Sequence, residues 1–397
     1  MLRTLTQSKY RDLILGIALL CAGAALLFYP GQSMDACRQG LHLCANVIIP
    51  SLFPFFVLST LVVELGMARY LGRALDRVMW PLFRVGGAGA SALVLGFVGG
   101  YPVGARTAIS LYQKGQCSKA ETQRMLAFCN NSGPAFILGV VGVGVFASGS
   151  VGILLYLVHM AASVCVGILF RFFGKQEALS PSGRPAPQFQ TVRFTAAFTS
   201  SVTRSVTSVL NICAFVVFFS VCIRLLSLCG AMDAASGLLE ALLSPLGFDR
   251  TWAQRLLIGL VEVSSGVASL SGEGQLAGRV SMAAFMLGWA GLSVHCQVLS
   301  FIADSGLSAR TYLAGKALHA VLSALFVAAL ARMFPLSQSV SGYLSQQVES
   351  LTVLEGSHAL TISTVVAWLL WLGFLLLTAY VVLRSKKRGG KVRPHGV

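Results

Sequence analysis

The sequence predicts an all-α polytopic membrane protein with about eight spanning helices plus two re-entrant helical hairpins, arranged as two inverted repeats. Fifty-five per cent of its 397 residues are hydrophobic and only 11% are charged. The mean hydropathy of +0.76 exceeds what the surface of a soluble chain of this length tolerates. A third observation is that one pattern of interrupted apolar stretches occurs twice, about 160 residues apart.

Apolar stretches near the ~20 residues that a bilayer core requires predict the spanning helices. They lie at 13–29, 41–65, 150–173, 206–229, 312–334 and 361–383, and two further spans with internal breaks lie at 122–146 and 280–303. The stretches 90–113 and 256–272 are divided by Gly, Pro or Ser into halves of roughly ten residues, which are too short to cross alone. We expect these two to be the re-entrant hairpins.

The basic residues predict how the chain is oriented. With a cytoplasmic N-terminus, most of the 30 Lys and Arg residues fall in segments on one side, as the positive-inside rule requires. The net charge of +16 therefore indicates topology, and nucleic acid is not an expected partner. We expect a multi-pass cell membrane protein with both termini cytoplasmic. In this arrangement the two copies enter the membrane from opposite faces, which makes the repeat inverted.

The repeats divide the chain into five parts. Residues 1–40 form an N-terminal membrane anchor helix, 41–173 the first repeat, 174–205 a Pro-containing cytoplasmic linker, 206–334 the second repeat, and 335–397 a C-terminal membrane helix and basic tail. Within the first repeat, 68–84 is predicted as an amphipathic helix, either at the cytoplasmic interface or in a solvated loop. Ser118 and Glu121 have capping-box spacing, so the first broken helix is expected to start there.

The interruptions predict the functional site. Backbone groups released by a broken helix find no water in lipid, so such breaks survive only inside protein or along a wet cavity. In the first copy, Gly99 and Gly100 are expected to form the hairpin turn, and Pro102 the first turn of the returning half-helix. Asn130 to Ser132 precede Pro134, which could start a second half-helix.

The second copy repeats this arrangement. Ser264, Ser265 and Gly266 are expected to turn and cap the second hairpin, and the chain from Gly288 to Ser293 loosens the helix that follows. Four breaks at one depth would create a polar pocket, although small residues also serve close helix packing. The candidate substrate-binding residues are Tyr101, Arg106, Asn130, Asn131, Ser132, Glu262, Ser264, Ser265, Ser293 and His295.

Two ionisable residues at membrane depth are costly and by default functional. Arg106 could bind an anionic group of the substrate, or it could form a structural ion pair with Glu262. Glu262 could bind a coupling ion, a proton or sodium. His295 could relay protons or simply pack in its helix.

Several other classes of function find no support. None of the ten cysteines forms a C-x-x-C pair and most lie in apolar spans, so no metal site is expected. The chain has no phosphate-binding loop for ATP hydrolysis. No nucleophile and base can be placed together, so we expect neither an enzyme nor a cofactor.

Four motifs carry a resemblance to a known family. They are Pro50-Ser51-Leu52-Phe53-Pro54-Phe55-Phe56, Pro81-Leu82-Phe83-Arg84, Gly99-Gly100-Tyr101-Pro102-Val103-Gly104-Ala105-Arg106 and Phe128-Cys129-Asn130-Asn131-Ser132-Gly133-Pro134. In this order they resemble the YlbJ-type sporulation integral membrane proteins, which carry the nucleoside-recognition, or Gate, domain. That domain is similar to the core of concentrative nucleoside transporters. The resemblance covers roughly residues 40–334, so both repeats would be Gate-like.

The resemblance implies a role in forming the spore cortex. Together with the breaks, it predicts a secondary transporter or permease of a small polar or anionic solute. The expected partners are the lipid bilayer, a small-molecule solute and a coupling ion, and a homo-oligomer is compatible with the sequence. The alternative is a non-transporting membrane scaffold for spore-envelope assembly.

Overall fold

The structure is a computed structural model that describes residues 2–65, 68–174, 193–272, 274–303, 305–333 and 372. Every regular element among these residues is helical, which confirms the all-α prediction. The span predicted at 361–383 lies outside the described residues apart from Leu372, as does most of the predicted linker, 175–192.

Fifteen α-helices, two π-helical segments and two short 3₁₀ turns make up the described chain. The α-helices are α1 (Leu2–Phe28), α2 (Pro30–Leu43), α3 (Ile49–Glu64), α4 (Ala68–Phe83), α5 (Ala90–Gly99), α6 (Val103–Gln113), α7 (Lys119–Phe128), α8 (Gly149–Phe170), α9 (Phe194–Leu228), α10 (Ala231–Leu243), α11 (Arg250–Val261), α12 (Val263–Ala268), α13 (Leu276–Trp289), α14 (Gly291–Ala303) and α15 (Ala309–Met333). The π-helical segments are Cys44–Ile48 and Ala135–Val145, and the 3₁₀ turns are Gly87–Gly89 and Ser244–Leu246.

The order of these elements occurs twice. Two helices (α3 and α4), a 3₁₀ turn, a helix pair (α5 and α6), a broken helix (α7 and the second π-helical segment) and a long helix (α8) follow one another. The same series runs from α9 to α15, with α11 and α12 as the helix pair and α13 and α14 as the broken helix. This order agrees with the predicted duplication. The opposite orientation of the copies and the cytoplasmic termini stay predictions.

Fewer spans are evident than the sequence predicts. Four stretches are long and apolar enough to cross a membrane: 149–170, 194–228, 276–303 and 309–333. Two bent pairs, 12–28 with 30–48 and 77–83 with 87–99, raise this to six among the described residues. The span predicted at 122–146 is not one of them, because α7 ends at Phe128 and the chain is not helical again until the segment after Pro134. The total of eight stays a prediction.

The first predicted hairpin has the expected bounds and turn. Helices α5 and α6 run antiparallel and meet at Gly100, whose φ of +71° is a left-handed conformation that glycine adopts without strain. Gly96 and Gly104 face each other across the pair, and both lie against the carbonyl oxygen of Cys129 at the end of α7. Pro102 occupies the position before α6 instead of its predicted place in the first turn.

The second hairpin is present, but the chain turns at a different residue from the predicted one. It begins at Arg250 instead of residue 256, and the chain turns at Glu262 instead of at Ser264 to Gly266. The reason is that the Glu262 carboxylate accepts the free backbone N–H groups at the start of α12, so the helix begins at Val263. Gly259 and Gly266 then lie backbone to backbone across the pair, as in the first hairpin.

Other local predictions hold. The Ser118 side chain accepts the Glu121 N–H while the Glu121 carboxylate accepts the Ser118 N–H, which confirms the capping box at the start of α7. Helix α4 occupies the predicted amphipathic stretch. Helix α9 starts at Phe194, twelve residues before the span predicted at 206–229, and the Ser and Thr hydroxyls in these added turns donate to carbonyl groups of their own helix.

Candidate functional site

A cavity of about 50 Å³ lies where the tips of the two hairpins approach each other. A buried water needs about 10–15 Å³, so this cavity has space for a few waters. Its polar lining comes from both hairpins and both broken helices, and its apolar wall comes from the first part of each repeat. The polar lining residues are Tyr101, Ser132, Glu262, Ser264, Ser293 and Gln297, and the apolar wall includes Ile48, Leu52, Phe56, Ile212, Phe215 and Val216.

Each hairpin tip packs closely on the break of the helix that follows it. A Cβ added to Gly100 would lie 2.9 Å from the backbone nitrogen of Gly133. In the second copy, a Cβ on Gly291 would lie 2.9 Å from the backbone nitrogen of Val263. The two copies therefore build the same contact, and the absence of side chains there lets tip and break touch.

The two copies are also joined to each other at this point. The Tyr101 hydroxyl donates to the Leu287 carbonyl at 3.2 Å, so the first hairpin tip supplies a donor to the second broken helix. Within the second copy, the Trp289 indole Nε1 donates to the Leu260 carbonyl at 3.2 Å. Carbonyl groups near the break that have lost helical partners are thus satisfied inside the protein, as membrane depth requires.

Glu262 is the ionisable group of the cavity. It is only 1% exposed, and its two carboxylate oxygens accept the N–H groups of Ser264 at 3.0 Å and Ser265 at 2.6 Å. Among the described residues it forms no ion pair. An ionised carboxylate offers about four acceptor positions, so the two backbone N–H groups do not use its full capacity.

Five of the ten predicted site residues line the cavity: Tyr101, Ser132, Glu262, Ser264 and Ser293. Gln297 also lines it, one helical turn beyond Ser293 on α14, and sequence reasoning missed it. The sequence therefore located both tips and both breaks that meet at this point.

Four predicted residues do not line the cavity and instead form hydrogen bonds beside it. Asn130 and Asn131 are buried, and their amide groups donate to the Tyr312 hydroxyl at 3.3 Å and the Phe128 carbonyl at 2.9 Å. Ser265 contributes its backbone N–H to Glu262. The His295 ring is buried, with Nδ1 2.9 Å from the Tyr312 hydroxyl.

Arg106 is placed elsewhere. Its side chain is exposed and its guanidinium lies 5.8 Å from the centre of the Phe301 ring. The alternative ion pair with Glu262 is not formed. Gly104 faces inward against Cys129, and two residues further along a helix of 3.6 residues per turn the side chain points to the other side.

A stripe of buried polar residues on α15 was not predicted. Tyr312, Lys316, His319 and Ser323 are all at most 1% exposed. Their spacing of four, three and four residues places them on one face of the helix. The signal is present in the sequence, since this face carries polar residues in an otherwise apolar helix.

This stripe connects to the first break through a pair of histidines. The Ser132 N–H donates to His159 Nε2 at 3.0 Å, and the rings of His159 and His319 lie with their centres 4.3 Å apart. His319 Nε2 lies 3.0 Å from the His159 carbonyl. Within the described part of the chain, several atoms of the network have no hydrogen-bond partner: Asn130 Oδ1, Asn131 Oδ1, His159 Nδ1, His295 Nε2 and His319 Nδ1. Such unpaired buried groups are typical of sites that take up water or a ligand.

A bacterial protein is similar in sequence to most of this chain. The sporulation integral membrane protein YlbJ of Bacillus subtilis (strain 168) is 31% identical over 337 residues, which cover 81% of this chain and 83% of the relative. The chain belongs to the YlbJ family. A family model described as "Nucleoside recognition" (Gate) matches residues 45–174, the first repeat. This YlbJ-family chain is thus an integral membrane protein with several apolar helices.

Two solved structures of CNTnw have a fold similar to that of this chain. A variant of CNTnw in an intermediate state aligns with a TM-score of 0.53 at 13% identity, covering 83% of this chain and 87% of the other. CNTnw in an inward-facing, substrate-bound state aligns with a TM-score of 0.51 at 13% identity, covering 83% and 86%. At this identity the likeness shows the fold alone.

Proposed function

We propose that this YlbJ-family protein is a secondary transporter of a small polar solute, and that the cavity between the two hairpin tips is the solute site. The observation that carries this proposal is the convergence of both tips and both breaks on one polar space enclosed by apolar walls. Interrupted helices in matching places of two repeats are typical of transporter midplane sites. The transporter-like fold and the nucleoside-recognition match support the same function.

The lining argues for the class of solute. Glu262 supplies acceptors, Ser132, Ser264, Ser293 and Gln297 supply neutral hydrogen-bonding groups, and the described lining contains no Arg or Lys. A neutral or cationic solute with several hydrogen-bond donors fits this set. The anionic alternative rested on Arg106, whose side chain is exposed at Phe301. Nucleosides are neutral and rich in hydroxyl donors, so they are the first class to test. Because the cavity as described holds only a few waters, the hairpins must move apart to admit a molecule of that size.

We base the proposed biological role of the solute on the family. The relative is a sporulation protein, and we propose that the transported solute serves the formation of the spore cortex.

Helices α3 and α9, which begin the two repeats, contribute the apolar wall through Leu52, Phe56, Ile212, Phe215 and Val216. In the proposed cycle the hairpins move against this wall to open the site to one side and then to the other.

The test is uptake by the purified, full-length chain in proteoliposomes across radiolabelled nucleosides, peptidoglycan precursors and organic anions. We expect uptake of at least one nucleoside or other neutral polar compound above that of empty liposomes. Ser293→Leu, which fills the cavity, should abolish this uptake, while Ser300→Leu, at an exposed position two turns further along the same helix, should leave it unchanged. A well-folded protein that takes up nothing from the panel would contradict the proposal and favour the scaffold.

A further inference from the structure

Lys316 is the group whose burial most needs explanation. Its side chain is 1% exposed within α15, a helix apolar enough to span a membrane. It forms no ion pair with a carboxylate in the part of the chain that the structure describes. A buried cation without such a partner is expensive, so it persists only where the surrounding groups stabilise a positive charge.

The groups around its ammonium do so. Nζ donates to the carbonyl oxygen of Asn130 at 3.0 Å and lies 5.6 Å from the centre of the Tyr101 ring, within cation–π distance. The approach depends on Gly315, because a Cβ there would overlap the backbone of Ala127. Helix α15 thus packs on α7 closely enough for Lys316 to reach the break.

The position of Asn130 explains why a cation is stabilised there. Helix α7 ends at Phe128, so its last carbonyl groups have no helical partners and carry the negative end of the helix dipole. Neutral donors satisfy part of this end: the Asn131 amide and the Ser163 hydroxyl both donate to the Phe128 carbonyl, at 2.9 and 2.7 Å. Lys316 adds the positive charge that neutral donors cannot supply.

The second break is satisfied differently. Helix α13 ends at Trp289, and the nearby Leu287 carbonyl accepts the neutral Tyr101 hydroxyl. The two repeats therefore differ at their breaks, since a covalently attached cation serves the first and a neutral donor serves the second. Tyr101 touches both, because its ring faces Lys316 and its hydroxyl reaches Leu287.

We propose that the Lys316 ammonium is a tethered cation that stabilises the first helix break in the way that a bound metal cation would, so that the folded protein needs no sodium at this break. The inference does not depend on the identity of the solute or on transport itself. If Lys316 occupies this break, a metal ion that couples transport must bind elsewhere.

The test uses the full-length chain in lipid nanodiscs and measures the thermal unfolding midpoint in sodium, potassium and choline chloride at equal ionic strength and pH. A Glu262→Gln variant, which removes the carboxylate that could itself bind sodium, should have the same midpoint in all three salts. Lys316→Met, which keeps most of the side-chain length but removes the charge, should unfold at a lower temperature. Lys316→Ala opens space beside the Asn130 carbonyl, and its lowered midpoint should rise when ethylammonium replaces choline.

Lys114→Ala is the matched control, because Lys114 is exposed at the end of α6. It should keep the wild-type midpoint and show no response to ethylammonium. A midpoint that rises with sodium but not with choline in the Glu262→Gln variant would overturn the proposal. So would a Lys316→Met protein at least as stable as the wild type, since a buried charge with no stabilising role can be replaced by an apolar side chain at a gain.

Discussion

Replacement of Glu262 by alanine is expected to reduce solute uptake severely while leaving a folded protein. The carboxylate caps α12 through Ser264 and Ser265 and also lines the cavity. Loss of a helix cap costs about 0.5–2 kcal/mol of stability. Loss of a hydrogen bond from a solute to a charged acceptor costs about 1.5–3 kcal/mol, which corresponds to a roughly 10- to 100-fold lower uptake.

The measurement is the initial uptake rate in proteoliposomes for the compounds that the wild type transports, with the unfolding midpoint as a check on folding. Glu240→Ala is the matched control, because Glu240 is a partly exposed glutamate on α10 that pairs with Arg250 at 3.5 Å. Such surface pairs contribute about 0–1 kcal/mol, so uptake should stay at the wild-type rate. Wild-type uptake by the Glu262→Ala protein would show that the cavity does not bind the solute through this carboxylate.

Replacement of Gly104 by valine is expected to prevent the first hairpin from packing. A Cβ at this position would overlap the Cys129 carbonyl and lie 2.9 Å from the Gly96 Cα, and both obstacles are backbone atoms that cannot rotate away. Overpacking of a core usually costs about 1–3 kcal/mol, and rigid backbone neighbours place this substitution at or above that range. We expect little monodisperse protein on size-exclusion chromatography in detergent.

Gly149→Ala is its control, because a Cβ at Gly149 meets nothing within 4 Å. This variant should elute as the wild type and unfold at the same temperature. A monodisperse Gly104→Val protein with the wild-type midpoint would mean that α5, α6 and the end of α7 do not approach each other as described.

The sequence was sufficient to locate the hairpins and the breaks, because each has a local cause. Gly100 permits a left-handed turn, Ser118 and Glu121 cap α7, and the polar run from Asn130 cannot continue an apolar helix. The sequence prediction put the second tip at Ser264, two residues after its actual position at Glu262. Serine is the more usual capping residue, but here the Glu262 carboxylate caps the helix.

What the sequence could not provide depends on distant contacts. Lys316 lies beside the first break only because Gly315 lets α15 pack on α7, almost 190 residues from Asn130 along the chain. Arg106 was assigned to the site by its distance from Pro102, but the rotation of α6, fixed by packing at Gly104, turns it away. Proximity in sequence therefore predicted the site well at the tips and poorly along the helices.

The central claim is that the two hairpin tips meet at one cavity. Its most direct test is cross-linking between Tyr101→Cys and Ser264→Cys, after the ten native cysteines are replaced and a protease site is inserted within 175–192. With a short bifunctional thiol reagent, the account predicts that the two halves stay joined on a denaturing gel after cleavage. The pair Lys114→Cys and Ser264→Cys should not cross-link, because Lys114 lies at the far end of α6, which rises about 1.5 Å per residue. Halves that separate for the tip pair as they do for the control pair would contradict the account.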